Sequence, residues 1–208
     1  MTNSSTATTR GLRWRIDLPV GGGLLLFGTY ILLKMAYLPL WLSTLYTVLF
    51  LGIAWVYLAR RFAIRAPFGL ALLIYLTAAL DGVGNYFGLY NRTFRWLQYD
   101  EFTHTLAPAL AAPVVVWLLG EVAERAGMRV PPALLTGLAV CVMFTVAGFY
   151  EIVEYWDDRY LHPVPGMRIH GSYDTPKDLQ ANLLGGIIGG VAAYLVRRRR
   201  GFAEGSRQ

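Results

Sequence analysis

The apolar residues of this 208-residue chain come in six blocks of about membrane-spanning length, separated by short charged loops. That pattern limits the fold more than any single motif does, because a helix needs roughly 20 consecutive apolar residues to cross the hydrocarbon of a bilayer. The composition agrees. Charged residues make up 15% of the chain, AVILMFWYC residues 55%, and the mean hydropathy is +0.42. A soluble domain of this size needs more polar surface to cover its core. A disordered chain, a secreted disulfide scaffold and a soluble nucleic-acid binder are all excluded. The net charge of +6 does not reopen the last of these, because the basic residues flank apolar blocks, as membrane orientation requires. The only cysteine, Cys141, lies inside an apolar block, so neither an internal disulfide nor a thiolate cluster is available.

The expected fold is all-α: a polytopic bundle of about six transmembrane helices. Residues 1–16 form a cytoplasmic segment, 17–196 a single membrane domain, and 197–208 a basic cytoplasmic tail. The first block runs from about Leu18 to Leu38 and the second from Leu40 to Ala59. The third covers Phe68 to Tyr90 and the fourth Glu101 to Leu119. The fifth follows Pro131 and Pro132 and reaches Tyr155, and the sixth runs from Pro176 to Val196. No short apolar core followed by a small-residue cleavage site marks a signal peptide, so the first block is read as an uncleaved span.

Orientation follows from the Lys and Arg residues on each side. The N-terminus, the 60–66 and 121–130 loops and the tail hold thirteen of them, including Arg60, Arg61, Arg125, Arg129 and the run Arg197 to Arg200. The opposite side holds six: Lys34, Arg92, Arg95, Arg159, Arg168 and Lys177. Both termini are therefore expected in the cytoplasm. The starts of blocks four and six and the ends of blocks three and five then meet at the outer face.

The polar residues of the blocks collect at that face. Asp100 and His104 share a helix face at spacing i,i+4, Glu151 and Glu154 at i,i+3, and Asp178 and Asn182 at i,i+4. Asp174 stands just before the sixth block, and Asp81 and Asn85 lie in the outer half of the third. Each has a plain structural reading. Asp100 suits a helix cap, Thr175-Pro176-Lys177-Asp178 fits a capping box, and Asn182 suits a link between helices. Glu151 and Glu154 resist that reading. They sit at the unfavourable end of the helix dipole and near hydrocarbon, where a charge costs about 3 kcal/mol or more. A shared proton, an arginine or a cation has to compensate them.

A histidine among several carboxylates suits a hard or borderline divalent cation, without selecting among Mn, Mg, Zn and Fe(II). The expected ligands are Asp100, His104, Glu151 and Asp178, with Asp81, Asn85 and Asn182 as supporting polar groups. Such a cation would polarise a phosphoryl or carbonyl oxygen of a lipid or envelope intermediate, with Glu154 or Asp174 as general base. Two other uses fit the same residues: a non-enzymatic protein that binds a lipid, proton or ion, and a purely structural network. Asp157, Asp158, His162 and His170 are read as solvated. Membrane lipids are the expected partners. Gly185/Gly189 and Gly186/Gly190 form overlapping GxxxG steps, which serve close packing inside the subunit or a homo-oligomer through Gly185 and Gly189.

The motifs Tyr99-Asp100-x-x-x-His104, Tyr150-Glu151-x-x-Glu154 and Tyr173-Asp174-Thr175-x-x-Asp178, in this order, resemble the YjdF-like family of bacterial inner-membrane proteins over roughly residues 75–196. Asp178-Leu-Gln-Ala-Asn182-Leu-Leu-Gly185 is similar, more distantly, to the final span of VanZ-like membrane proteins. Glu154 is followed by Tyr155 rather than by the Gln-type partner associated with VanZ-like proteins. The resemblance implies a bacterial inner-membrane location and a polytopic bundle with its polar site at one face. It implies no particular reaction.

Overall fold

The computed structural model describes residues 67–91, 93–94, 97–161 and 171–205, with isolated positions at 53, 57 and 64. Apart from Ile53 and Tyr57, the first two apolar blocks lie outside the described residues, as do His162, His170 and the side chains of Asp81 and Asn85. Four helices make up most of what is described: α1 (Phe68–Phe87), α2 (Tyr99–Arg125), α3 (Pro132–Trp156) and α4 (Asp174–Gly205). A 3-10 turn at Leu89–Asn91 and a two-residue antiparallel pairing of Thr93–Phe94 with Leu97–Gln98 join α1 to α2. A π-helical turn, Asp157–Leu161, extends α3. Among the described residues, three helices are long and apolar enough to cross a membrane: Tyr99–Arg125, Pro132–Tyr160 and Asp174–Arg198.

The burial pattern is inverted relative to a water-soluble bundle. The buried apolar residues are mostly small, among them Ala71, Ala78, Ala112, Ala139 and Ala147, whereas Phe149, Val146, Leu184, Ile188 and Val196 are exposed. Lipid tails are as apolar as leucine, so helices in a bilayer gain little by burying large side chains. They associate where small residues let backbones approach. Backbone and hydroxyl groups must also find partners without water. Thr77, Thr105, Thr136 and Thr145 each donate to the carbonyl one turn earlier in their own helix, at 2.9–3.0 Å.

The glycine steps of α4 set the packing. A β-carbon on Gly185 or Gly189 would run into the carbonyl oxygens of Thr105 and Ala109 on α2. Pro113 lacks the N–H that would otherwise hold the Ala109 carbonyl inside its helix, so that oxygen is free to meet the glycine. The second step faces the other way: a β-carbon on Gly190 would lie 3.2 Å from Thr136 and Val140 of α3. Helix α4 is therefore wedged between α2 and α3, and both glycine steps are used within the chain.

Contacts at the two ends give the helix directions. Asp178 lies beside His104, and Arg197 Nη2 donates to Glu124 Oε1 at 3.0 Å, so α4 runs parallel to α2. Gly190 meets Thr136 while Gly186 meets Met143, so α3 runs antiparallel to α4. This is the alternation expected of successive membrane spans.

Helix starts differ from the expected caps. Glu101, not Asp100, reaches back to accept the Gln98 N–H at 3.4 Å, closing a capping box. Asp100 is thereby released from end-capping. Helix α4 begins at Asp174, before the expected Thr175 cap, which places Asp178 one full turn inside the helix with its carboxylate buried.

Candidate functional site

The site lies where the starts of α2 and α4 meet the end of α3, with His104 at its centre. On the Nε2 side of the imidazole, Asp100 Oδ1 lies at 3.5 Å and Asp178 Oδ2 at 4.0 Å. On the Nδ1 side, the Asn182 amide nitrogen lies at 2.9 Å and Glu151 Oε1 at 3.9 Å. The ring is thus bracketed by α4 on both sides and by α3 on one. The edge of the Tyr150 ring, 6.3 Å away between centroids, approaches His104 as well.

Among the described residues, two sets of side chains have cation-binding geometry. One donor atom from each of Asp100, His104 and Asp178 lies within 4.8 Å of the others, and the same holds for His104, Glu151 and Glu154. His104 belongs to both. The Glu151 side chain is only 4% exposed, and its Oε1 has no hydrogen-bond partner although it is fully enclosed. An unpaired carboxylate oxygen in such a place costs free energy on the order of 1–3 kcal/mol or more. A donor or a cation is what the position asks for.

Asn182 is held by its own helix. Its amide nitrogen donates to the Asp178 carbonyl at 2.8 Å as well as approaching His104 Nδ1. Asp178 and Asn182 therefore act from successive turns of one face, with their side chains on opposite edges of the same imidazole. Thr103 donates to the Asp100 carbonyl at 2.7 Å, fixing the first turn of α2. The Lys177 ammonium pairs with Glu101 across the α2–α4 seam, at the rim of the site.

The structure brings Asp100, His104, Glu151, Glu154, Asp178 and Asn182 to one place. Asp174 opens α4 one turn before Asp178. Asp157, expected in solvent, is buried at the π-helical turn that follows α3. It stands three residues after Glu154 and so shares that residue's helix face, a spacing that points to its burial.

The motif tyrosines divide their work. Tyr99 donates to the Leu80 carbonyl of α1 at 2.7 Å, Tyr150 flanks His104, and Tyr173 is 78% exposed. Thr175, read from the sequence as a cap, is already inside α4 and instead lies near the Glu151 carboxylate. The sequence carries no signal for this beyond the nearness of Thr175 to Asp178.

A family described as predicted membrane proteins (DUF2238) matches residues 21–199, which include every residue of the site. The chain belongs to the DUF2238 family. The resemblance to YjdF-like proteins is consistent with this membership. No curated protein and no solved structure matches the chain. DUF2238 membership places the chain among predicted membrane proteins.

Proposed function

We propose that this DUF2238 protein is a multi-pass protein of the bacterial inner membrane that holds a divalent cation at the extracytoplasmic ends of its helices. The cation serves metal-assisted chemistry on a phosphoryl or carbonyl group of a lipid or envelope intermediate. The observation that carries this reading is the enclosed, unpartnered Oε1 of Glu151 beside His104. In structural networks the large majority of buried side-chain oxygens are hydrogen-bonded, so one that is not points to a ligand or proton. Donor spacing supports it too. Four ligands about 2.1 Å from a Zn-type cation stand roughly 3.4 Å apart, against 3.5 Å and 4.0 Å here. A contraction of a few tenths of an ångström closes the site.

The cluster stands at one end of the helices, and the pairs Arg197–Glu124 and Arg125–Glu121 stand at the other. Together with the thirteen-to-six distribution of Lys and Arg, this supports cytoplasmic termini and an outward-facing site. An interfacial site suits an amphiphilic substrate, because head group and acyl chain reach it without leaving the bilayer. Glu154 is the general base best placed for the reaction, being in reach of His104 and half-buried. Asp174 is the second candidate. The likeness to VanZ-like proteins rests on the Asp178–Gly185 motif and lends no reaction.

Elemental analysis of the detergent-purified protein, beside His104→Gln, tests the proposal. One equivalent of a divalent transition metal or Mg in the wild type, absent from His104→Gln, is expected. A metal-free wild type that binds neither Mn²⁺ nor Zn²⁺ in titration overturns it.

A further inference from the structure

The two edges of His104 are not equivalent, and their difference assigns roles within the cation site proposed above, on which this step rests. The Asn182 amide nitrogen donates to the Asp178 carbonyl at 2.8 Å, which an amide oxygen could not do. The same nitrogen lies 2.9 Å from His104 Nδ1, so Nδ1 is the acceptor and its lone pair is taken. The ring proton then sits on Nε2, between the Asp100 and Asp178 carboxylates at 3.5 Å and 4.0 Å.

A cation at Nδ1 would have to displace the Asn182 donor. A cation at Nε2 meets two carboxylates already in place and displaces only a proton. We infer that the cation is bound on the Nε2 side by Asp100, His104 and Asp178, and that Glu151 is a positioning residue that accepts a hydrogen bond from Nδ1. The exchange balances within the ring: the Nε2–H bond breaks, an Nδ1–H bond forms, and the imidazole stays neutral with one proton throughout.

Once Nδ1 carries the proton it can no longer accept from Asn182, and it needs an acceptor. Glu151 Oε1, 3.9 Å away and without a partner, is that acceptor. A small rotation of the ring closes the distance. Metal-bound histidines commonly hand their second N–H to a carboxylate, which fixes the tautomer and makes the imidazole a better ligand. The unsatisfied oxygen on α3 thus finds its use in the loaded state, and the Asn182 contact belongs to the empty one.

The test is nitrogen NMR of detergent-solubilised protein labelled with ¹⁵N-histidine. His162→Gln and His170→Gln are introduced so that one imidazole is observed, and ¹¹³Cd²⁺ is the probe. Without cadmium the proton is expected on Nε2. With cadmium it is expected on Nδ1, with the ¹¹³Cd–¹⁵N coupling on Nε2. Coupling on Nδ1 overturns the assignment while leaving the cation site standing. No change at either nitrogen under saturating cadmium removes the cation site itself.

Mn²⁺ titration of single substitutions provides an independent arm. Asp178→Asn should lose binding, whereas Glu151→Gln should weaken it by about 10–100-fold, the range for a carboxylate acting through a ligand. Abolished binding in Glu151→Gln together with wild-type binding in Asp178→Asn overturns the assignment.

Discussion

Gly185 on α4 lies against the carbonyl oxygen of Thr105 on α2 with no room for a β-carbon between them. Thr105 follows His104 directly, and Gly185 lies about one turn beyond Asn182. The contact therefore sets the distance at which the two helices present their polar groups. Gly185→Ala should force the helices apart and destabilise the protein by about 1–3 kcal/mol. Gly137 faces open space. Gly137→Ala should cost nothing, and gain up to about 1 kcal/mol from helix propensity. Thermal unfolding of the two variants in detergent checks the contrast, and equal melting would refute the close-packed seam.

Glu151→Gln removes a buried charge whose Oε1 lacks a partner, while keeping the size of the side chain. In the presence of chelator its melting temperature should equal or exceed that of the wild type, because a buried carboxylate with an unsatisfied oxygen opposes folding. With cation added, the order should reverse, since the wild type binds more tightly and gains stability by mass action. A variant that melts well below wild type under both conditions would point to a structural role for Glu151.

Asn182→Ala deletes the donor to His104 Nδ1 and to the Asp178 carbonyl. A loss of roughly 1 kcal/mol is expected, the scale of polar contacts between membrane helices. Cys141→Ala, on an exposed face, is the control and should melt as the wild type does.

The Lys177–Glu101 pair joins the first turns of α4 and α2, but Lys177 is about half exposed. Lys177→Ala should therefore cost less than about 1 kcal/mol, and the difference should shrink in high salt. A large, salt-independent loss would mean that the rim of the site is drier than its exposure indicates.

Orientation is tested at an exposed residue next to the site. Tyr173→Cys in a Cys141→Ala background should react with a membrane-impermeant maleimide added outside the cell, because Tyr173 is 78% exposed. A reporter fused after Arg200 should be active in the cytoplasm. Labelling of the introduced thiol only from the inside would reverse the topology and place the cation site at the inner face.

Helix content, the starts of α1 to α4 to within about two residues, and the parallel course of α2 and α4 were legible in the sequence, whereas α2 and α4 run on past the expected ends at Leu119 and Val196 to Arg125 and Gly205. Successive spans of a membrane protein alternate in direction, so i,i+4 and i,i+3 pairs at known span ends are brought to one layer without any knowledge of packing. That is why Asp100, His104, Glu151, Glu154, Asp178 and Asn182 could be grouped from residue numbers. Periodicity fixes which face of its own helix a side chain occupies, and it is silent on which neighbour that face meets. Only the tertiary structure decided that Asn182 and Asp178 take opposite edges of one imidazole, that Glu101 caps α2 in place of Asp100, and that Glu151 Oε1 is left without a partner. These depend on the rotation of each helix about its axis. That rotation is set by the fit of Gly185 and Gly189 against the carbonyls of α2, a contact between residues far apart in the chain.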